Sequence, residues 1–218
     1  RFLALLMSVC LIITALPILA SADFVADIEK YTMIPTVTPE SVPSEDELIG
    51  VSNLVQNGDF ENDTNHIGPW NWSSFGGDWN VSQTVLYEKN FGHESSRSVK
   101  LTNGDPLVRP WVMQAVEVDA GAEYQFGMWY YTNFTTEQID KDKRGKGATV
   151  LLLEFYSDVP GGGKGNGSID IIAPSGTGGK WVHFTTRVTT PPGTKYVRFY
   201  ARRYGVGTVW VDDMTIYN

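Results

Sequence analysis

The stretch KYVRFYARRY, residues 195–204, alternates apolar side chains with aromatic and charged ones at every second position. Successive side chains of a β-strand point to opposite faces of its sheet, so this alternation predicts a strand with two different faces. The apolar face carries Val197, Phe199 and Ala201. The other face mixes aromatic rings with positive charge and carries Arg198, Tyr200, Arg202 and Tyr204.

Similar short runs, rich in Val, Tyr, Phe, Trp and Thr, recur from Val51 onward between Gly, Asn and Pro residues. None of them shows sustained helical spacing. The predicted strands are residues 53–61, 80–87, 97–102, 111–118, 123–132, 148–156, 167–172, 181–189, 195–204 and 208–217. About ten short strands at even spacing predict an all-β domain over residues 51–218, namely a β-sandwich jelly roll with antiparallel strands.

The first 50 residues differ in composition and are expected to lie outside this domain. Residues 2–19 are almost wholly apolar, and Ala20 and Ala22 supply the small residues of a cleavage site, which predicts a signal peptide over residues 1–22. The alternative is an uncleaved membrane anchor. Residues 23–50 are acidic and rich in Pro, Thr and Ser, which predicts an extended linker. We therefore expect a secreted, extracellular monomer without membrane contact after cleavage.

Negative charge is concentrated in the linker. Residues 23–50 hold seven acids and one Lys, whereas residues 51–218 hold 18 acids and 15 basic residues. Because the domain itself has no basic surplus, nucleic acid is not an expected partner. The single cysteine, Cys10, lies in the predicted signal peptide, so the mature domain is expected to have no disulfide.

Three predicted strands carry a polar, aromatic face of the kind that binds sugars. Aromatic rings stack on the C–H patches of a sugar, and Arg, Glu and Gln side chains form hydrogen bonds with its hydroxyls. The alternative is a solvated sheet face with cross-strand Arg–Glu pairs. Taken as one face, the candidate residues are Gln125, Trp129, Tyr131, Glu154, Tyr156, Arg198, Tyr200 and Arg202.

An ordered set of motifs extends along the whole domain. The set is LVQNGDFE (54–61), SVKL (98–101), QAV (114–116), GAEY (121–124) and GTVWVDDM (207–214). In this order it resembles the jelly-roll carbohydrate-binding modules found with bacterial cellulases and xylanases, of families four, nine and twenty-two and their relatives. The resemblance implies a galactose-binding-domain-like fold that binds a β-glucan, xylan or cellulose chain in a groove without catalysis. It also implies a glycoside hydrolase as companion, and a structural calcium ion.

Four acids at the two ends of the domain are the candidate calcium ligands. The resemblance points to Glu61 and the pair Asp212 and Asp213, and Asp59 shares a predicted strand face with Glu61. Ca²⁺ takes six to eight oxygen ligands, and the two ends of a sandwich chain commonly lie close together. The alternative is that Asp59 and Glu61 are solvated charges at a strand end.

A glycoside hydrolase is the enzymatic alternative, and it needs two carboxylates that face each other. Only Glu154 can be placed on the aromatic face from the sequence, and no Gly-x-Ser-x-Gly motif is present. The three histidines, His66, His93 and His183, have no metal-ligand spacing. We therefore expect no catalysis. A third possibility is a cell-surface adhesion or spacer module on the same fold.

Overall fold

The computed structural model describes residues 51–64, 68–69, 72–74, 85–94, 97–104, 109–134, 149–158, 165–173 and 176–218. The predicted signal peptide, residues 1–22, and the predicted linker, residues 23–50, lie outside the described residues. Within the described part of the chain, no helix has the length and apolar character needed to cross a bilayer.

Twelve strands are described, and every pair of them is antiparallel. A two-stranded ribbon pairs β1 (Asp63–Thr64) with β2 (Gly68–Pro69). The strands of sheet I are β4 (Val85–Glu88), β5 (Ser98–Asn103), β7 (Glu123–Tyr131), β10 (Trp181–Thr189) and β12 (Gly207–Tyr217), in the order β10-β7-β12-β5-β4. The strands of sheet II are β3 (Ser73–Ser74), β6 (Trp111–Glu117), β8 (Thr149–Tyr156), β9 (Gly165–Ile172) and β11 (Tyr196–Arg203), in the order β3-β6-β11-β8-β9.

The hydrophobic core is formed by the apolar faces that the alternation predicts. On β11, Val197, Phe199 and Ala201 have no solvent exposure. The inner side chains of sheet I include Phe126 and Met128, which are also fully buried and belong to the same cluster. Burying an apolar side chain of this size contributes about 1.5–3 kcal/mol. The predicted fold, an all-β sandwich of the jelly-roll type with ten antiparallel strands in two sheets, is confirmed.

The predicted first strand, residues 53–61, is wrong. This segment forms a turn instead, in which Asn57 and Phe60 have positive φ angles of 53° and 54°. It runs beside the end of β12, where the Leu54 amide donates to the Ile216 carbonyl at 2.9 Å. The two ends of the domain therefore lie together.

Gly58 allows this close approach between the turn and β12. The Met214 amide donates to the Gly58 carbonyl at 2.9 Å. A Cβ atom on Gly58 would lie 2.1 Å from the Met214 carbonyl oxygen, which is far closer than van der Waals contact. A residue without a side chain is therefore required at this position.

Candidate functional site

The eight predicted sugar-binding residues lie on two opposite faces of the sandwich. Gln125, Trp129 and Tyr131 belong to β7 in sheet I, and the other five belong to β8 and β11 in sheet II. The expectation of one shared face is therefore wrong. Alternation separates inward from outward side chains, but it carries no information about which sheet a strand joins.

Glu154 is the centre of a hydrogen-bonded cluster on the outer face of sheet II. The Tyr200 hydroxyl donates to Glu154 Oε2 at 2.7 Å, and the Tyr156 hydroxyl donates to the same oxygen at 3.0 Å. Arg198, which lies directly opposite Glu154 on the neighbouring strand, places Nη1 3.7 Å from Oε2. Arg198 Nη1 also donates to the Tyr156 hydroxyl at 3.1 Å.

Both phenols of this cluster remain protonated well into the alkaline range. Burial, and then the hydrogen bond to Glu154, raises the pKa of Tyr200 above its usual value of 10.0. The same two causes raise the pKa of Tyr156. Each phenol therefore acts as a donor to Glu154, and the three contacts to Oε2 leave Oε1 in position to accept from a ligand hydroxyl.

The cluster continues along the face through Arg202 and through three residues outside the predicted set, namely Tyr204, Asp170 and Trp111. The guanidinium of Arg202 lies 5.5 Å from the Tyr200 ring centre and 5.7 Å from that of Tyr204. The Tyr204 hydroxyl donates to Asp170 Oδ2 at 3.1 Å, and Trp111 meets the Tyr200 ring edge-on at 5.5 Å. Trp111 and Asp170 lie on β6 and β9, so four strands contribute to the face.

Apolar side chains line the same outer face. Val150, Leu152, Tyr200 and Tyr204 form a cluster of their own on the outer side of sheet II. Trp111 and Met113 pack against this cluster from β6. The four cluster residues are themselves buried, so the apolar surface of this face comes from the partly exposed Trp111 and Met113. Apolar surface beside a few polar groups is the usual composition of a ligand site.

Two buried guanidinium donors on this face have no hydrogen-bond partner within the described residues. They are the Nε atoms of Arg198 and Arg202. Buried polar atoms are nearly always paired with protein or water in folded proteins.

Asp170 changes the count of acids on this face. It lies on β9 opposite Leu152, two residues along from the partner of Glu154, so both carboxylates belong to the outer face. The expectation that no neighbouring strand supplies a second acid is therefore wrong. In the structure, Glu154 accepts two phenol hydrogen bonds, whereas the side chain of Asp170 is exposed and accepts from Tyr204.

The predicted residues of sheet I are packed among other aromatic rings. His93 stacks on Trp129 with a centroid distance of 3.7 Å, and His183 lies 5.0 Å away. Tyr131 contacts Phe91, Trp181 and Trp210 at centroid distances between 4.9 and 5.7 Å. Trp129 and Tyr131 therefore pack against protein rings, and Gln125 lines a cleft beside them.

The four predicted calcium ligands each contact protein groups. Asp212 is fully buried and accepts from the amides of His93 and Asp213 at 2.7 and 2.8 Å. Asp213 Oδ2 lies 2.8 Å from His93 Nδ1, and burial raises the pKa of Asp213. Glu61 Oε1 accepts from the Arg97 amide at 2.9 Å, and Asp59 accepts from the Glu61 amide at 3.3 Å.

These contacts define what a calcium site would require. Within the described part of the chain, no three His, Cys, Asp or Glu side chains are grouped closely enough to hold a metal ion. A calcium ion here would need backbone carbonyl oxygens in addition to the predicted carboxylates, as Ca²⁺ commonly takes. Calcium therefore stays a prediction.

Several solved structures are similar to this chain. The enzymatically active domain of tailspike protein 4 from bacteriophage CBA120 matches at 21% identity and a TM-score of 0.51, over 75% of this chain and 21% of that chain. Family 16 carbohydrate-binding module-2 matches at 13% identity and a TM-score of 0.49, over 76% and 100% of the two chains. TmCBM61 in complex with beta-1,4-galactotriose matches at 17% identity and a TM-score of 0.47, over 77% and 99%.

These likenesses concern the fold. No protein-family model and no curated protein matches the chain. The chain spans about one fifth of the length of the tailspike chain. Every identity is under 25%, so these structures speak for the fold alone, and the resemblance to carbohydrate-binding modules rests on the sequence motifs.

Proposed function

We propose that this domain is a non-catalytic carbohydrate-binding module that binds a polysaccharide chain across the outer face of sheet II. The observation that carries the proposal is the cluster around Glu154, in which two phenols and a guanidinium converge on one carboxylate. β-Glucan, xylan and cellulose chains are the proposed ligands, because these are the polysaccharides that the sequence resemblance implies.

The proposed binding mode follows from the groups on this face. Trp111, which is partly exposed on β6, would supply ring surface for the C–H patches of sugar rings. Glu154 would accept from one sugar hydroxyl, and the partly exposed guanidinium groups of Arg198 and Arg202 would donate to others. Because acceptor and donors lie on neighbouring strands, adjacent hydroxyls of one sugar could be bound in pairs.

Binding without catalysis is the favoured function of this face. A glycosidase needs one carboxyl group that donates a proton and a second that activates water or attacks the sugar. Glu154 already accepts two phenol hydrogen bonds and lies beside Arg198, so it fits the role of a hydroxyl acceptor. A hydrolase that uses Glu154 and Asp170 is the second candidate, because the two acids share the face.

We further propose the setting in which this module acts. It would be secreted, extracellular and monomeric, together with or as part of a glycoside hydrolase, and stabilised by calcium. The predicted signal peptide and the sequence resemblance support this setting.

Affinity electrophoresis tests the proposed function. The chain is run through gels that contain xylan, β-glucan, hydroxyethyl cellulose or β-1,4-galactan, beside a gel without polysaccharide. We expect retardation in at least one gel and its loss in Glu154→Gln. Glu123→Gln is the matched control, because Glu123 is an exposed residue of β7 in sheet I.

Two outcomes would contradict the proposal. The first is mobility that stays unchanged in every gel, and the second is Glu154→Gln binding as tightly as the unmodified chain. Release of reducing sugars that disappears in Glu154→Gln would favour the hydrolase instead.

A further inference from the structure

A cleft of about 640 Å³ lies on the outer face of sheet I, away from the proposed polysaccharide site. Its walls come from β7, β10, the end of β12 and the turn at residues 53–62. The lining includes Gln125, Trp129, His183, Thr185 and Tyr217. A volume of this size is ordinary for a small-molecule site.

Gly127, on β7, allows polar side chains of the two neighbouring strands to come together at this cleft. A Cβ atom at this position would lie 2.7 Å from Thr215 Oγ1, 3.1 Å from Thr185 Cγ2 and 3.4 Å from His183 Nε2. These three side chains can converge from β12 and β10 only because residue 127 has no side chain.

Two buried polar atoms in this wall have no hydrogen-bond partner within the described residues. They are Thr185 Oγ1, on a side chain that is only 2% exposed, and His183 Nδ1. A buried polar group without a partner costs roughly 1–3 kcal/mol, and such groups in folded proteins commonly mark a bound water, ion or ligand. The wall is therefore suited to a molecule that carries hydroxyl groups.

The charge of the cleft restricts what it can bind. The lining includes three carboxylates and two imidazoles, and none of the described lining residues is Lys or Arg. These groups belong to Asp59, Glu94 and Asp213, and to His93 and His183. An acidic sugar or a phosphate would therefore meet repulsion. The amide of Gln125 and the hydroxyl of Tyr217 can both donate to and accept from a neutral hydroxyl.

We propose that this cleft is a second carbohydrate site, which takes a single uncharged sugar unit. Side-chain amides, hydroxyls and an aromatic edge are the groups that recognise such a unit, and the unpaired Thr185 hydroxyl would bond to it. The site lies on the sheet opposite the Glu154 cluster, so it stands whether or not sheet II binds polysaccharide.

Saturation-transfer NMR on the full chain tests the second site. The probes are glucose, galactose, xylose and N-acetylglucosamine, with galacturonic acid as the charged comparison. We expect at least one neutral sugar to bind and galacturonic acid not to bind. Thr185→Val should weaken binding about tenfold, which corresponds to one lost hydrogen bond.

Three further variants test whether the sugar binds in the cleft rather than elsewhere on the domain. Thr189→Val makes the same change at an exposed position of the same strand and face, and it should bind normally. Glu154→Gln should also bind these single sugars normally, because Glu154 lies on sheet II. Gln125→Ala should weaken binding, because Gln125 lines the cleft.

The melting temperature distinguishes a binding role of Thr185 from a structural one. Since its hydroxyl has no partner within the described residues, Thr185→Val should melt at the same temperature as the unmodified chain or slightly higher. The proposal is overturned if no neutral sugar binds, if Thr185→Val binds unchanged, or if galacturonic acid binds as tightly as the neutral sugars.

Discussion

Replacing Tyr200 by Phe removes one hydroxyl from the centre of the Glu154 cluster and leaves the ring in place. The hydroxyl donates to Glu154 Oε2 at 2.7 Å, and the side chain of Tyr200 is only 5% exposed. A hydrogen bond to a charged group contributes about 1.5–3 kcal/mol. The edge contact of the ring with Trp111, at 5.5 Å, should persist.

We expect Tyr200→Phe to lose stability at the lower end of the range for a hydrogen bond to a charged group. Glu154 keeps the Tyr156 hydroxyl at 3.0 Å and Arg198 at 3.7 Å, and its side chain is 28% exposed, so water can replace part of the lost bond. We therefore expect the free energy of unfolding to fall by about 1.5 kcal/mol, roughly tenfold in the folding equilibrium. Polysaccharide binding should weaken as well, because Glu154 loses a group that orients it.

Urea denaturation measures the first effect, and affinity electrophoresis measures the second. Tyr196→Phe is the matched control, since Tyr196 is half-buried on the same strand and its hydroxyl forms no hydrogen bond within the described residues. The control should change stability by less than about 0.5 kcal/mol. The reasoning is refuted if Tyr200→Phe and Tyr196→Phe have the same stability and the same gel mobility.

Three further predictions concern pH, backbone packing and calcium. Burial and the hydrogen bond to Glu154 raise the pKa of Tyr200, so the stabilising effect of its hydroxyl is complete below about pH 10 and is lost as the pH rises further. In urea denaturation at rising pH, the free energy of unfolding of the unmodified chain should therefore fall more steeply than that of Tyr200→Phe. Gly58→Ala should destabilise the domain by about 1–3 kcal/mol or more, because its Cβ would meet the Met214 carbonyl, whereas Gly104→Ala, with no atom within 4 Å of its Cβ, should change little in the same melts. EDTA should lower the melting temperature and added Ca²⁺ should restore it; an unmoved transition, with no calcium detected in the purified protein by mass spectrometry, would refute the calcium proposal.

The turn at residues 53–61 shows where local pattern was misleading. The segment has the short apolar run Leu54-Val55 that begins many strands, but Asn57 and Phe60 have positive φ angles that a strand does not contain. Close packing of Gly58 against Met214, more than 150 positions away along the chain, stabilises this turn. A contact at that separation leaves no trace in the local alternation.

The predicted sugar-binding residues divide between the two sheets, although the sequence pattern places them on one face. Glu154, Tyr156, Arg198, Tyr200 and Arg202 lie together on sheet II, because β8 and β11 are neighbours. Gln125, Trp129 and Tyr131 lie on the other sheet, and Asp170 of β9 joins the cluster without having been predicted. The order of strands across a sheet depends on pairing between distant segments.

The sequence by itself determined that the domain is all-β and which side of each main strand is buried. That information is local, because the alternation of side chains has a period of two and the hydrophobic effect places the apolar set inside. Only the tertiary structure decided which strands share a sheet, and therefore which outward side chains lie on one surface. It places the Glu154 cluster on sheet II and the cleft on sheet I. The order of strands in each sheet is set by hydrogen bonds between strands that are far apart in the chain. Any two strands with exposed backbone edges can pair, and the alternation of side chains within each strand is the same whichever partner it has.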